Sequence, residues 1–403
     1  MKIHIHRLYI KLLLLNGLIV ALIKFVGISL PTSPNVIITF LFLPFFISFL
    51  IKSKNSNIKK IIFLYLFYVL IKFIVFRYFN FRDAFNVIQD MLAFSTFYFF
   101  YNLSKEAKIK CLNIFRNFIL FFTTIFFIQY FFKDYLPTAF LEIPNLFLSF
   151  GIDSYTRVIE GESFYRPNGL IGNPITFGFF LNLLLATEIF FLKLKKPKPI
   201  NFIIIFIISL MIFILLSRAN ITLCLLLVSS IFLKRKKIVK SISILLISLI
   251  ILIPISNLLY SKSSQVKFVI DRFTGDDEYA ARSTGEHIID YIKAYEMFKN
   301  NPIVGVSAKR ILEEEIITDG AIPILILRNG SAGFLILLLM YFFIIKKYNY
   351  QSKKLEITNS FFIFSLVFFP LSILNSAILD KGIYLIIFIW FGLTCNIFNR
   401  RIT

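Results

Sequence analysis

The chain has 403 residues, 58% of them hydrophobic and only 16% charged, with 52 Phe and a single Trp. A soluble globule of that length would leave much of this apolar surface facing water, so the composition excludes a soluble domain. The formal charge of +22 comes from 44 basic and 22 acidic residues gathered mainly in short connectors. That is the distribution of a polytopic membrane protein, and it argues against nucleic acid as a partner.

Twelve apolar segments are predicted to cross a bilayer: 8–29, 35–52, 61–79, 84–102, 112–132, 170–193, 200–217, 219–233, 240–260, 320–345, 357–377 and 381–398. Most approach the ~20 residues that a helix needs to span ~30 Å of hydrocarbon. The expected fold is all-α: one polytopic integral membrane domain over 1–403, with about 12 transmembrane helices. The first run follows a basic stub holding His4 and His6, with no small-residue cleavage site after it. It reads as a retained span rather than a removed signal peptide. Cys111, Cys224 and Cys395 lie far apart, without metal-ligand spacing, and neither a metal nor a cofactor is expected.

Connectors on one side are lysine-rich: Met1–Arg7, Lys52–Lys60, Lys105–Lys110, Lys193–Lys198, Lys234–Lys240, Lys346–Lys354 and Arg400–Arg401. Those on the other side are Pro31–Pro34, Arg77–Asp83, Lys133–Gly169, Ser217–Asn220, Ser261–Asp319 and Ser376–Lys381, and most are short, neutral or of mixed sign. Basic residues mark cytoplasmic loops. Both termini are therefore expected in the cytoplasm, with the long loops 133–169 and 261–319 outside. Loops of such length are usually functional or disordered, and these carry aromatics, alternating charge and helix signals.

A charge at the bilayer centre costs at least ~2.5–3.5 kcal/mol, so each one asks for a reason. Lys72 and Asp90 fall at similar depth in adjacent spans and are expected to neutralise each other. Lys11 and Glu188 lie near cytoplasmic ends and Lys24 near the outer surface, where long side chains can snorkel. Arg328 lies about two turns below the outer end of its span. Two readings are open for it: a pair with an acidic side chain, or a place on a water-filled cavity facing an anionic substrate.

The stretch from Phe164 to Gly178 ends the first long loop, and Gly169, Gly172 and Pro174 mark an irregular start to the sixth span. Asn173 is placed to cap that helix, with Pro174 at its first position. Arg166 stands just outside the membrane and Arg218 in the tight turn Ser217–Asn220, where a solvated interfacial arginine is the plainer account. In the second loop, Ser283 and Glu286 fit a capping box that opens a helix near 284–300. Ile288, Ile292, Tyr295 and Phe298 then recur at helical spacing, as in an amphipathic helix lying on a membrane or over a cavity. Arg282 precedes the cap, where a helix start helps to hold an anion. Four guanidiniums, those of Arg166, Arg218, Arg282 and Arg328, near the carboxylate of Asp319 would suit a diphosphate leaving group and a hydroxyl nucleophile.

The order of these pieces resembles the Wzy-type O-antigen and capsule polymerases and the related O-antigen ligases. The landmarks are Arg166, Gly169–Ile175, Leu216–Ala219, Arg282 before a helix, Asn301–Gly305, and Asp319 followed by Gly330 and Gly333, which cover about 165–335. The resemblance implies a bacterial inner-membrane glycosyltransferase that needs no metal and no nucleotide sugar. The donor would be a glycan on undecaprenyl diphosphate, and a fresh lipid-linked repeat unit would be the acceptor. A flippase and a chain-length regulator would be its working partners. Catalytic roles fall to Asp319 and Arg282, and substrate binding to Arg166, Arg218, Arg328 and Asn173. Ligases of this group carry a His, commonly followed by Asn, where this chain has Asp319–Gly320, which favours the polymerase. Ligation to another acceptor, or transport of lipid-linked glycan by a flippase, stands as the alternative. However, no two-half internal repeat of the transporter kind is evident.

Overall fold

The computed structural model describes residues 5–27, 34–54, 56–75, 81–141, 156–159, 162–171, 173–194, 198–231, 289, 291–307, 310–311, 321–355, 360–371, 384–395 and 397. Helices occupy eleven of the twelve expected apolar segments, and the twelfth, 240–260, lies outside the described residues. They are α1 (Ile5–Phe25), α2 (Pro34–Lys52), α3 (Asn57–Val75), α4 (Phe81–Asn102), α5 (Lys105–Phe131), α6 (Pro174–Leu194), α7 (Pro199–Ile214) and α8 (Arg218–Ser229). A loop helix, α9 (291–300), precedes α10 (Ala321–Leu355), α11 (Ser360–Leu371) and α12 (Tyr384–Thr394). Among the described residues, four helices are long and apolar enough to cross a membrane: Ile5–Phe25, Lys105–Phe131, Pro174–Lys193 and Ile322–Gln351. The chain is a helical membrane protein.

One departure from the all-α expectation lies in the first long loop. Strands β1 (Thr156–Ile159) and β2 (Glu162–Tyr165) form an antiparallel hairpin, pairing Thr156 with Tyr165 and Ile159 with Glu162. Backbone polar groups outside a helix need partners, and a hairpin supplies them locally.

Helix starts follow from local chemistry. Ser104 accepts from the Ala107 amide at 3.3 Å to open α5, and Asn173 accepts from the Thr176 amide at 2.7 Å to open α6. Among the described residues, α4, α6 and α12 hold many of the buried side chains. α4 packs against α2, α3 and α12, and α6 against α5, α7, α8 and α11. α6 is apolar all round, as a helix enclosed on every side should be. Two of its polar side chains bond to neighbours: Thr187 accepts from the Trp390 indole at 2.9 Å, and the Asn182 amide donates to Asn220 O at 3.1 Å. α12 approaches α4 closely at Gly392, where a Cβ would stand 2.5 Å from Phe97 O.

The lysine-rich end is more ordered than a solvated fringe. Lys59 donates to Ile51 O at 3.0 Å and Ser53 O at 2.7 Å, while Lys108 donates to Tyr101 O at 2.7 Å and Lys193 to Ser230 O. Each ammonium thus caps the carbonyls that end a helix. Glu188 does not snorkel as expected. It is fully buried and takes a two-pronged ion pair from Arg116 at 2.6 and 2.8 Å, plus a bond from Asn201 at 2.7 Å. A guanidinium from α5 satisfies this carboxylate better than a long reach to water would.

Candidate functional site

α10 is two helices joined at Gly330, whose φ of 63° and ψ of −179° belong to a region that only glycine enters readily. The segment 302–306 inserts at the break. Val306 N donates to Leu327 O at 2.8 Å, Ser331 N to Pro302 O at 2.8 Å, and Ala332 N to Ile303 O at 3.2 Å. A Cβ on Gly330 would lie 2.1 Å from Ile303 O, and one on Gly305 2.5 Å from Gly330 N, so two glycines let the backbones touch. The carbonyls freed by the break are claimed by α3. Tyr68 donates to Asn329 O, and Lys72 donates to Arg328 O and, at 3.5 Å, to Val306 O. A broken helix at membrane depth is tolerated where its loose polar groups find partners like these.

Arg328, next to the break, meets Asp90 of α4, with Nη2 3.4 Å from Oδ2. The same carboxylate accepts from the Tyr65 hydroxyl at 3.1 Å and from the Tyr384 hydroxyl at 2.6 Å. Asp90 therefore joins α3, α4, α10 and α12. Lys72, expected beside Asp90, lines one pocket with it and donates to the broken backbone, while Arg328 makes the ion pair with Asp90 at 3.4 Å. The reason is geometric, because the unwound turn offers carbonyls to Lys72 while the planar guanidinium reaches the carboxylate. Of the two readings open for Arg328, the acidic partner is realised.

Beside this hub lies a pocket of about 30 Å³ whose lining mixes Lys72, Asp83, Asn86, Asp90, Arg328 and Asn329 with apolar Val69, Phe73 and Val87. Asp83, Asn86, Val87 and Asp90 follow helical spacing, so one face of α4 forms a wall. On the other side of the same turn of α10, an apolar groove of about 340 Å³ runs between Tyr291, Ala294, Tyr295 and Phe298 of α9 and Pro323, Ile326 and Leu327. The helix expected to lie on a membrane or over a cavity does border the groove through Tyr295 and Phe298. Ile292 and Tyr295 are exposed, and Ala294 and Met297 pack with Val306 and Leu327, since small Ala294 lets the helix sit close to α10.

The remaining predicted residues are more dispersed. Arg282, Asp319, Ile288 and the Ser283–Glu286 box lie outside the described residues. Arg166 is buried just ahead of a turn in which Gly169 and Leu170 both have positive φ. That turn is held by Gln129 of α5, which donates to Asn168 Oδ1 at 2.9 Å and accepts from Gly169 N at 3.0 Å. Arg218 is exposed at the first residue of α8, and Asn220 nearby donates to Ile175 O at 2.9 Å near the start of α6. Asn173 spends its side-chain oxygen on the helix cap. The start of α8, which carries Arg218, thus meets the start of α6 through Asn220 and Ile175, whereas Arg328 belongs to the α3–α4–α10 pocket. Asp83, Asn86, Asn329, Tyr65 and Tyr384 were not singled out from the sequence. The polar spacing from Asp83 to Asp90 in an otherwise apolar helix was the signal that could have found the first two.

Comparison with known proteins returned no matching family model, no matching curated protein and no matching solved structure.

Proposed function

We propose that this chain is a polysaccharide polymerase. It joins undecaprenyl-diphosphate-linked oligosaccharide repeat units on the outer face of the bacterial cytoplasmic membrane, as a multi-pass protein of twelve spans with both termini inside. One observation carries the reading: a single turn of α10 borders a pocket that holds charged groups, through Arg328 and Asn329, and an apolar groove through Leu327. A site charged on one side and apolar on the other suits an amphiphile, and the order of landmarks from Arg166 to Gly333 narrows the amphiphile to a lipid-linked glycan. In the reaction, a hydroxyl of the incoming unit attacks the anomeric carbon of the growing chain. The bond from that carbon to the diphosphate breaks, and cationic side chains steady the departing anion. A flippase would deliver the units, and a chain-length regulator would act on the product.

Reconstitution tests this. The full chain in liposomes, supplied with lipid-diphosphate-linked repeat units, should produce a ladder of chain lengths. Transfer of one glycan block to a different acceptor would replace polymerase by ligase. Movement of intact units across the bilayer without new bonds would replace it by a transporter.

A further inference from the structure

The groove between α9 and α10 is lined by apolar and aromatic side chains, and one of its walls belongs to a membrane-crossing segment. Pro323, Ile326 and Leu327 form that wall, in the first two turns of Ile322–Gln351, which is long and apolar enough to span a bilayer. Ala294, Tyr295 and Phe298 of α9 stand opposite. The volume of about 340 Å³ falls within the range of about 300–1,000 Å³ usual for small-molecule pockets. Apolar space of this kind stays dry and takes apolar guests.

Apolar surface continues along the same helix. Ile292 and Tyr295 of α9 are more than half exposed, and so are Ile289 just before it and Ile303 just after it. Such a surface is costly in water and at home against bilayer hydrocarbon. A cation stands beside the groove as well. Lys299 Nζ lies 4.8 Å over the ring of Tyr295, one of the lining residues. Lys299 also bonds Glu296 at 2.7 Å, but both side chains are at least half exposed, and exposed pairs are weak. A phosphate at the membrane surface therefore competes for that ammonium. Tyrosine rings beside it suit the level where headgroups meet hydrocarbon.

We propose that the groove binds one acyl chain of a bilayer phospholipid, whose phosphate is held by Lys299. The bilayer is the source because it bathes a membrane-crossing segment and supplies phosphate-headed hydrocarbon in excess. The site goes beyond the polymerase reading and does not depend on it. Where that reading holds, the resident phospholipid keeps the groove dry between visits of a lipid-linked unit, and the two lipids compete.

The test places the full chain in nanodiscs of phosphatidylglycerol, part of it carrying a photoreactive diazirine in one acyl chain. After illumination, peptide mapping should find denser label on 291–298 and 323–327 than at Phe67 and Ile71, exposed positions of α3. Ile326→Trp, which fills the groove from the α10 wall, should lower the groove label several-fold and leave the α3 label unchanged. Should Ile326→Trp lose the α3 label as well, Ile326→Phe makes the same test with less bulk. Lys299→Gln should also lower the groove label, and added salt should lower it in wild type but not in Lys299→Gln. Groove label no denser than that on α3, or indifferent to groove filling, would overturn the site. Label indifferent to Lys299→Gln would overturn the phosphate contact. A groove labelled by a photoreactive polyprenyl phosphate but not by phosphatidylglycerol would assign it to the lipid-linked substrate and overturn the phospholipid.

Discussion

Asp90 of α4 and Arg328 of α10, 238 residues apart in the chain, stand 3.4 Å from each other inside the helical bundle. Removing one member of a buried pair leaves a stranded charge, which costs about 3–5 kcal/mol. Asp90→Ala is therefore expected to destabilise the protein by that amount, measured by reversible unfolding in mixed micelles. The double variant Asp90→Ala/Arg328→Ala should lose less than the two single losses added together. Strict additivity would mean that the pair contributes nothing as a pair.

Gly330→Ala should cost about 1–3 kcal/mol for the backbone conformation alone, and the added Cβ would press on Ile303 O. The inserted segment 302–306 should come away from α10. Faster protease cleavage there, in folded protein, is the readout, and an unaltered cleavage rate would refute the inserted arrangement.

Glu188 is held by two bonds from Arg116 and one from Asn201. Hydrogen bonds to charged groups are worth about 1.5–3 kcal/mol, so Glu188→Ala should lose at least one such increment. Arg116→Met, which loses the guanidinium that stands over the Phe191 ring, should still cost less than Glu188→Ala because Arg116 retains access to water while Glu188 is fully buried. Reversal of that order in thermal unfolding would place the stabilisation in packing rather than charge.

Orientation can be read by labelling. Lys54 and Arg218 are both exposed, and the native thiols Cys111, Cys224 and Cys395 are buried. On intact cells an impermeant maleimide should label Arg218→Cys and leave Lys54→Cys unmodified until the membrane is opened. Labelling of Lys54→Cys first would invert the proposed topology.

Residence in lipid and the approximate bounds of the helices were legible in the chain, because long apolar runs admit few structures other than helices when water is absent. Asn173 as a cap was equally legible, since capping is a contact between neighbours in sequence. Partner choice among distant charges was not. Lys72 and Asp90 do line one pocket, but no local stretch announced that the break at Gly330 would offer Lys72 carbonyls or that Arg328 would reach Asp90.

Sequence alone determined that this protein lives in a bilayer and roughly which segments are helical, since those are decided by hydropathy. Only the tertiary structure decided that Asp90 gathers four helices, that Gly330 divides α10, and that Asn329 and Asp83 line one pocket. Each of these depends on which helix faces stand opposite one another, and that follows from packing over the whole bundle rather than from any local stretch.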